Sequence, residues 1–293
     1  MTTFEQTSEF WQQVVPTLPA LIKAIAFFAL WLILWLPLAI PVAKKLQWQP
    51  RTPLTSAQKL PLLASLYLIA PLMVWGTAQL EGKNWADYGW YWQPQTLISL
   101  GIGWLLGVLG LALMFGIQGV LGWVNWQPPK QPDSGAGEKK LNLTDALATV
   151  VLPTLLIALL ISAIEELIFR GVLLNLLQQD YYPAIAALIS SLIFALLHLI
   201  WEQQDTLPQL PGLWLMGIIL VLARWVAGGN LGLAIGLHAG WVWAIACLDT
   251  MGAIAYTGKI SPWVTGIGGK PLAGFAGIVC LLATGAIVFN FKF

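Results

Sequence analysis

Eight stretches of this chain are apolar over roughly the length a helix needs to cross a lipid bilayer, and that limits the fold before anything else does. A helix rises ~1.5 Å per residue and the hydrocarbon core is ~30 Å thick, so about 20 apolar residues span it. The runs are Leu18 to Ala43, Leu60 to Leu80, Thr96 to Val124, Ala146 to Leu177, Pro183 to Ile200, Pro211 to Ala227, Leu231 to Leu248 and Leu272 to Phe291. The first carries Pro37 and Pro41 near its end. The fourth is too long for one simple span and is expected to bend or to overrun the membrane. The expected fold is all-α, a polytopic membrane helical bundle of about eight transmembrane helices.

Composition agrees. The 293 residues are 58% hydrophobic and 9% charged, against about 25% charged in soluble domains. Mean hydropathy is +0.76. A net charge of +1, without a basic patch or recognition motif, gives no reason to expect a nucleic-acid partner. Many of the 17 tryptophans fall near the ends of apolar runs, and Glu81 to Gln95 mixes aromatic with polar residues; both suit a membrane interface. Cys247 and Cys280 read as small packing residues rather than a disulfide or metal framework. The first 15 residues carry Glu5 and Glu9 and no basic segment, so no cleavable signal peptide is expected.

The one clear linker is rich in turn formers, with Pro128, Pro129, Pro132 and Asp133-Ser134-Gly135. It divides the chain into a three-span part (1–125), a linker (126–145) and a five-span part (146–293). Lysine and arginine gather in alternate loops: Lys44, Lys45, Arg51 and Lys59, then Lys130, Lys139 and Lys140, then Lys259 and Lys270. The positive-inside rule then places both termini outside. No internal repeat is visible.

The five-span part holds the chemistry. Glu165, Glu166 and Arg170 sit in a run otherwise apolar from Leu147 to Leu177. Charges at membrane depth are costly and mark function by default. Glu166 and Arg170, four apart, share a helix face and can pair, with the acid on the favoured N-terminal side. Glu165 lies about 100° round the helix, which leaves it available as a base. The alternative is a solvated helix end in the headgroup region. The only histidines, His198 and His238, lie in the fifth and seventh runs, and His198 shares a face with Phe194. Each taken alone suits a packing role. Two carboxylates and two histidines on three helices also suit hydrolysis: a carboxylate activates water, and imidazole binds a metal, moves a proton or stabilises an oxyanion. Gly232, Gly236 and Gly240 recur every four residues and should admit a second helix closely. Gly266-Ile-Gly-Gly-Lys270 lacks the spacing of a phosphate loop. Glu202, Asp205 and Asp249 read as solvated ends. Asn175 has no spacing argument tying it to the others.

Glu-Glu-x-x-x-Arg-Gly at Glu165 to Gly171, Phe194-x-x-x-His198 and then His238, in that order over successive spans, resembles the CPBP intramembrane protease family. That family includes the type II CAAX-prenyl endopeptidases, bacteriocin-processing proteins and abortive-infection-like membrane proteins. The resemblance covers about Thr144 to Leu248. It implies a membrane endopeptidase acting on a membrane-associated or lipidated protein or peptide. Glu165 and His198 would activate water, Glu166 and Arg170 would brace the base, and His238 would polarise the carbonyl. A zinc-dependent form, a metalloprotease with Glu165, His198 and His238 as ligands to Zn2+, is the other mechanism the family suggests. The third motif departs: Val242 stands where the family commonly has Asn or Asp, thought there to hold the oxyanion. Trp241, Trp243 or a backbone amide are the candidate substitutes. Two other readings stay open. One is a non-proteolytic scaffold or binding protein using the same cavity; the other is a proton-coupled transporter, which the lack of repeats disfavours.

Overall fold

A computed structural model of the chain describes residues 13–49, 52, 54–129, 142–201 and 203–291. Glu5, Glu9, Arg51, Lys130, Pro132, Asp133-Ser134-Gly135, Lys139, Lys140 and Glu202 lie outside the described residues. Among the described residues, seven helices are long and apolar enough to cross a membrane. They are α1 (Ala20–Lys45), α2 (Ser56–Glu81), α3 (Pro94–Val120), α4 (Thr144–Leu177), α5 (Pro183–Ile200), α6 (Gln203–Val226) and α7 (Gly232–Thr250). The eighth expected span is an apolar helix of only 15 residues, α8 (Phe275–Phe289). At ~1.5 Å per residue it falls short of the ~30 Å hydrocarbon core. The chain is an integral, multi-pass membrane protein with an all-α architecture.

Strand structure among the described residues is confined to β1 (Val124–Trp126) and β2 (Ile254–Tyr256), paired antiparallel with Val124 opposite Tyr256 and Trp126 opposite Ile254. Pro37 and Pro41 lie inside α1, which runs through both to Lys45. The long fourth run is one continuous helix of 34 residues, about 50 Å at helical rise, so it overruns the hydrocarbon core. Two of its stretches, Leu147–Val151 and Leu167–Leu173, are wound as π-helix.

The helices group into two compact units, each drawn from separated segments. The first unit comprises residues 1–91 and 164–203. Its α2 starts on a reciprocal cap: Thr55 accepts from the Gln58 backbone N–H, and the Gln58 side chain accepts from that of Thr55. It stops at Gly82, whose φ of 62° is left-handed and easily adopted only without a Cβ. A buried polar knot ties three helix ends together. Lys23 of α1 donates to Gln179 and lies 3.6 Å from Glu81 at the end of α2. Glu81 also accepts from Gln179 (2.9 Å), Tyr88 (3.2 Å) and Lys83 (3.1 Å). Lys23 and Glu81 side chains are 5% and 4% exposed, and burial of such charges holds only with partners of this kind.

The second unit comprises residues 92–163 and 204–293. Its centre is the α3–α7 pair. A Cβ on Gly236 would meet Leu100 O at 1.9 Å, and one on Gly240 would meet Trp104 O at 2.5 Å. Reciprocally, a Cβ on Gly103 would lie 2.4 Å from Leu233 O and one on Gly107 2.8 Å from Leu237 O. Small residues on both helices therefore bring the backbones into contact, as the glycine spacing predicts. This packing fixes the segment that carries His238.

Candidate functional site

In the first unit, the helix α4 passes from regular winding at Glu166 into the π-wound segment Leu167–Leu173. Such segments are rare and recur at functional sites. Glu166 and Arg170 close a salt bridge, Arg170 Nη1 to Glu166 Oε1 at 3.0 Å, with both side chains 0% exposed. The Arg170 guanidinium stacks over the Phe194 ring at 4.4 Å and lies 6.0 Å from that of Phe169. An uncompensated ion here would carry a desolvation penalty of several kcal/mol; the carboxylate and the two aromatic faces offset it.

Glu165 faces elsewhere. It is half-buried and borders a cleft of about 580 Å³ whose other lining residues include Phe28, Trp35, Tyr67, Leu197, His198 and Trp201. The Tyr67 hydroxyl, from α2, donates to Glu165 Oε1. His198 sits on the turn that ends α5, its Nδ1 2.8 Å from Phe194 O. A ring nitrogen facing a carbonyl oxygen carries the proton in the neutral tautomer, which makes Nε2 the basic atom. The His198 ring also packs edge-on against Phe194, centroids 4.6 Å apart. Phe194 meets Phe169 at 5.1 Å in turn, and Phe169 meets Phe28 at 6.1 Å. One aromatic column thus supports both His198 and Arg170.

Of the five residues expected from the sequence, four belong to this unit: Glu165 and His198 border one cleft, and Glu166 and Arg170 form the ion pair beside Phe194. His198 presents an imidazole and Glu165 a carboxylate to an otherwise apolar enclosure, where electrostatic interactions are stronger than in water. Tyr67 was not among the expected residues. Its one signal is position: a phenol in the interior of an apolar run rather than at its ends, where tyrosine is enriched. Asn175 has a structural task, donating to Asp87 O at 2.6 Å and so holding the Trp85–Tyr88 turn. Asp205 is exposed, and Asp249 is 61% exposed and 3.9 Å from Lys270, as expected of solvated ends.

His238 belongs to the second unit, 2% exposed in the middle of α7. Val242 is half-buried one turn on. The two neighbouring indoles differ: Trp243 Nε1 donates to Val151 O at 2.9 Å, while the buried Trp241 Nε1 has no hydrogen-bond partner among the described residues. Cys247 and Cys280 are both reduced, with Cys247 Sγ 3.2 Å from Thr154 Oγ1. Among the described residues no group of three or more His, Cys, Asp or Glu is placed to hold a metal ion.

Comparison with known proteins falls on the same segment. Residues 147–244 match the type II CAAX prenyl endopeptidase, Rce1-like family. An Escherichia coli protein described as an uncharacterized 24.3 kDa protein is 37% identical over 101 residues, which is 34% of this chain and 45% of that one. The chain thus spans under half the length of that curated relative. No solved structure matches. All five expected residues, Glu165, Glu166, Arg170, His198 and His238, fall within this segment, which is similar to the Rce1-like family of type II CAAX prenyl endopeptidases.

Proposed function

We propose that the protein is an intramembrane endopeptidase in which Glu165 is the general base. The observation that carries this reading is the placement of Glu165, half-buried at an apolar cleft with the Tyr67 hydroxyl on its carboxylate and His198 on the same wall. Water entering the cleft gives a proton to Glu165 and adds as hydroxide to the scissile carbonyl. The proton then passes to the departing amine, with His198 Nε2 as its relay. A positioned general base of this kind contributes about 10²–10⁴-fold in rate. Glu166 and Arg170 do not touch substrate; they hold the π-wound segment that aims Glu165. The substrate is a membrane-associated or lipidated protein or peptide, since a cleft walled by Phe28, Trp35, Leu197 and Trp201 favours apolar chain.

The test is a comparison of peptide termini in membranes carrying wild-type protein with those carrying Glu165→Ala at equal expression. Termini that appear only with wild type support proteolysis and name the substrate; identical sets overturn it. Treating the active preparation with a zinc chelator should leave the rate unchanged. A loss restored by added Zn2+ would replace this mechanism with a metal-dependent one.

The second reading is a non-proteolytic binding protein, and Val242 is the residue that favours it. Loss of one oxyanion donor lowers rates by about two to three orders of magnitude where measured. A function that survives Glu165→Gln would support it.

A further inference from the structure

A second cleft lies in the second unit, between α3 and α8. It has a volume of about 520 Å³ and is lined by apolar groups including Leu109, Met114, Phe275 and Ala283, with Gln118 and Thr284 the polar exceptions. Thr284 spends its hydroxyl on Cys280 O at 2.9 Å. Gln118 is 1% exposed, and neither its Nε2 nor its Oε1 has a hydrogen-bond partner among the described residues. A buried amide with both polar atoms unsatisfied is uncommon and calls for a missing partner. A turn about its last torsion, which is soft in amides, presents it to the cleft.

Depth and charge say what that partner is. Helix α3 has 27 residues, about 40 Å at helical rise against a core of ~30 Å, so its ends reach the headgroup region. Gln118 lies two residues from the C-terminal end, which by that length falls near the level of the lipid ester groups. Beyond it the chain turns at Gly122, φ 67°, where a Cβ would come 3.1 Å from Lys259 Nζ. Gly122 lies only four positions along the chain from Gln118, just past the end of α3. The apolar cleft, the amide and the ammonium therefore gather at the C-terminal end of α3. The Lys259 side chain is exposed, and no acidic residue lines the cleft.

We propose that the second unit carries a site for an anionic glycerophospholipid. One acyl chain fills the α3–α8 cleft, the ester carbonyl accepts from Gln118 Nε2–H, and the phosphate meets Lys259. Exposed lysines at the membrane surface attract anionic lipid in this way, and the amide adds a contact that any glycerolipid ester can make.

The test uses the full chain purified in detergent, with phosphatidylglycerol or phosphatidylcholine of matched acyl chains added and bound lipid counted by native mass spectrometry. Wild type should hold phosphatidylglycerol about fivefold more tightly than phosphatidylcholine, the effect of one basic residue at the headgroup. Lys259→Ala should bring that ratio to about one, because only the anionic headgroup uses the ammonium. Gln118→Leu should weaken both lipids by about threefold or more, because both have the ester. Equal retention of the two lipids by wild type overturns the proposal, as does a preference that survives Lys259→Ala. Unchanged binding in a folded Gln118→Leu variant overturns the amide contact. Lys259 is exposed, so its variant reports even where Gln118→Leu does not fold.

Discussion

The hydroxyl of Tyr67 donates to Oε1 of Glu165, joining two residues 98 positions apart on different helices. One carboxylate oxygen is thereby oriented by α2. A hydrogen bond to a charged group contributes about 1.5–3 kcal/mol, so Tyr67→Phe should slow substrate cleavage by about 10- to 100-fold. Thermal unfolding should move by only a few degrees, since the ring remains. An unchanged rate for Tyr67→Phe in a cleavage assay would show that the phenol only fills space.

Glu165 and Glu166 are neighbours with separate tasks, and stability separates them. Removing one partner of a buried ion pair is destabilising by about 3–5 kcal/mol, so Glu166→Gln or Arg170→Ala should lower the unfolding temperature sharply. The double variant Glu166→Leu, Arg170→Met should recover much of that loss, because it removes both charges. Glu165→Gln should unfold close to wild type and lack cleavage. Equal destabilisation by Glu165→Gln and Glu166→Gln in a detergent melt would defeat the division.

Helix contact between α3 and α7 depends on the absence of side chains. Gly236→Ala puts a methyl 1.9 Å from Leu100 O and should destabilise by at least about 1–3 kcal/mol. Gly101→Ala, where a Cβ meets nothing within 4 Å, is the control and should be neutral or slightly stabilising. Similar melting temperatures for the two variants would show that the pair is looser than described.

His198 tests which nitrogen matters. Its Nδ1 is engaged with Phe194 O, so the relay must use Nε2. Glutamine places an amide nearer the Nε2 position and asparagine nearer Nδ1. His198→Gln should keep more activity than His198→Asn, with both at least about tenfold below wild type. A reversed order would place the functional atom at Nδ1.

Much of this was legible because it is local. The pairing of Glu166 with Arg170 follows from a four-residue separation, and it appears as a 3.0 Å contact. Phe194 and His198 share a face for the same reason and meet at 4.6 Å. The glycines at 232, 236 and 240 announced a close helix partner, though not that the partner would be α3. The shortness of α8 was not legible because Leu272 and Ala273 extend the apolar run ahead of the helix, whose N-cap is Gly274.

The sequence by itself determined that the chain crosses the membrane many times, and it singled out the ionisable residues that lipid makes expensive. Both conclusions rest on composition and on separations of three or four residues, which helical geometry converts directly into faces. Only the tertiary structure decided what those faces meet. That Tyr67 reaches Glu165, that Lys23 and Gln179 close on Glu81, and that Trp243 is engaged with Val151 while Trp241 is not all depend on contacts between segments far apart in the chain. No local spacing encodes such contacts, because side-chain packing between helices sets them.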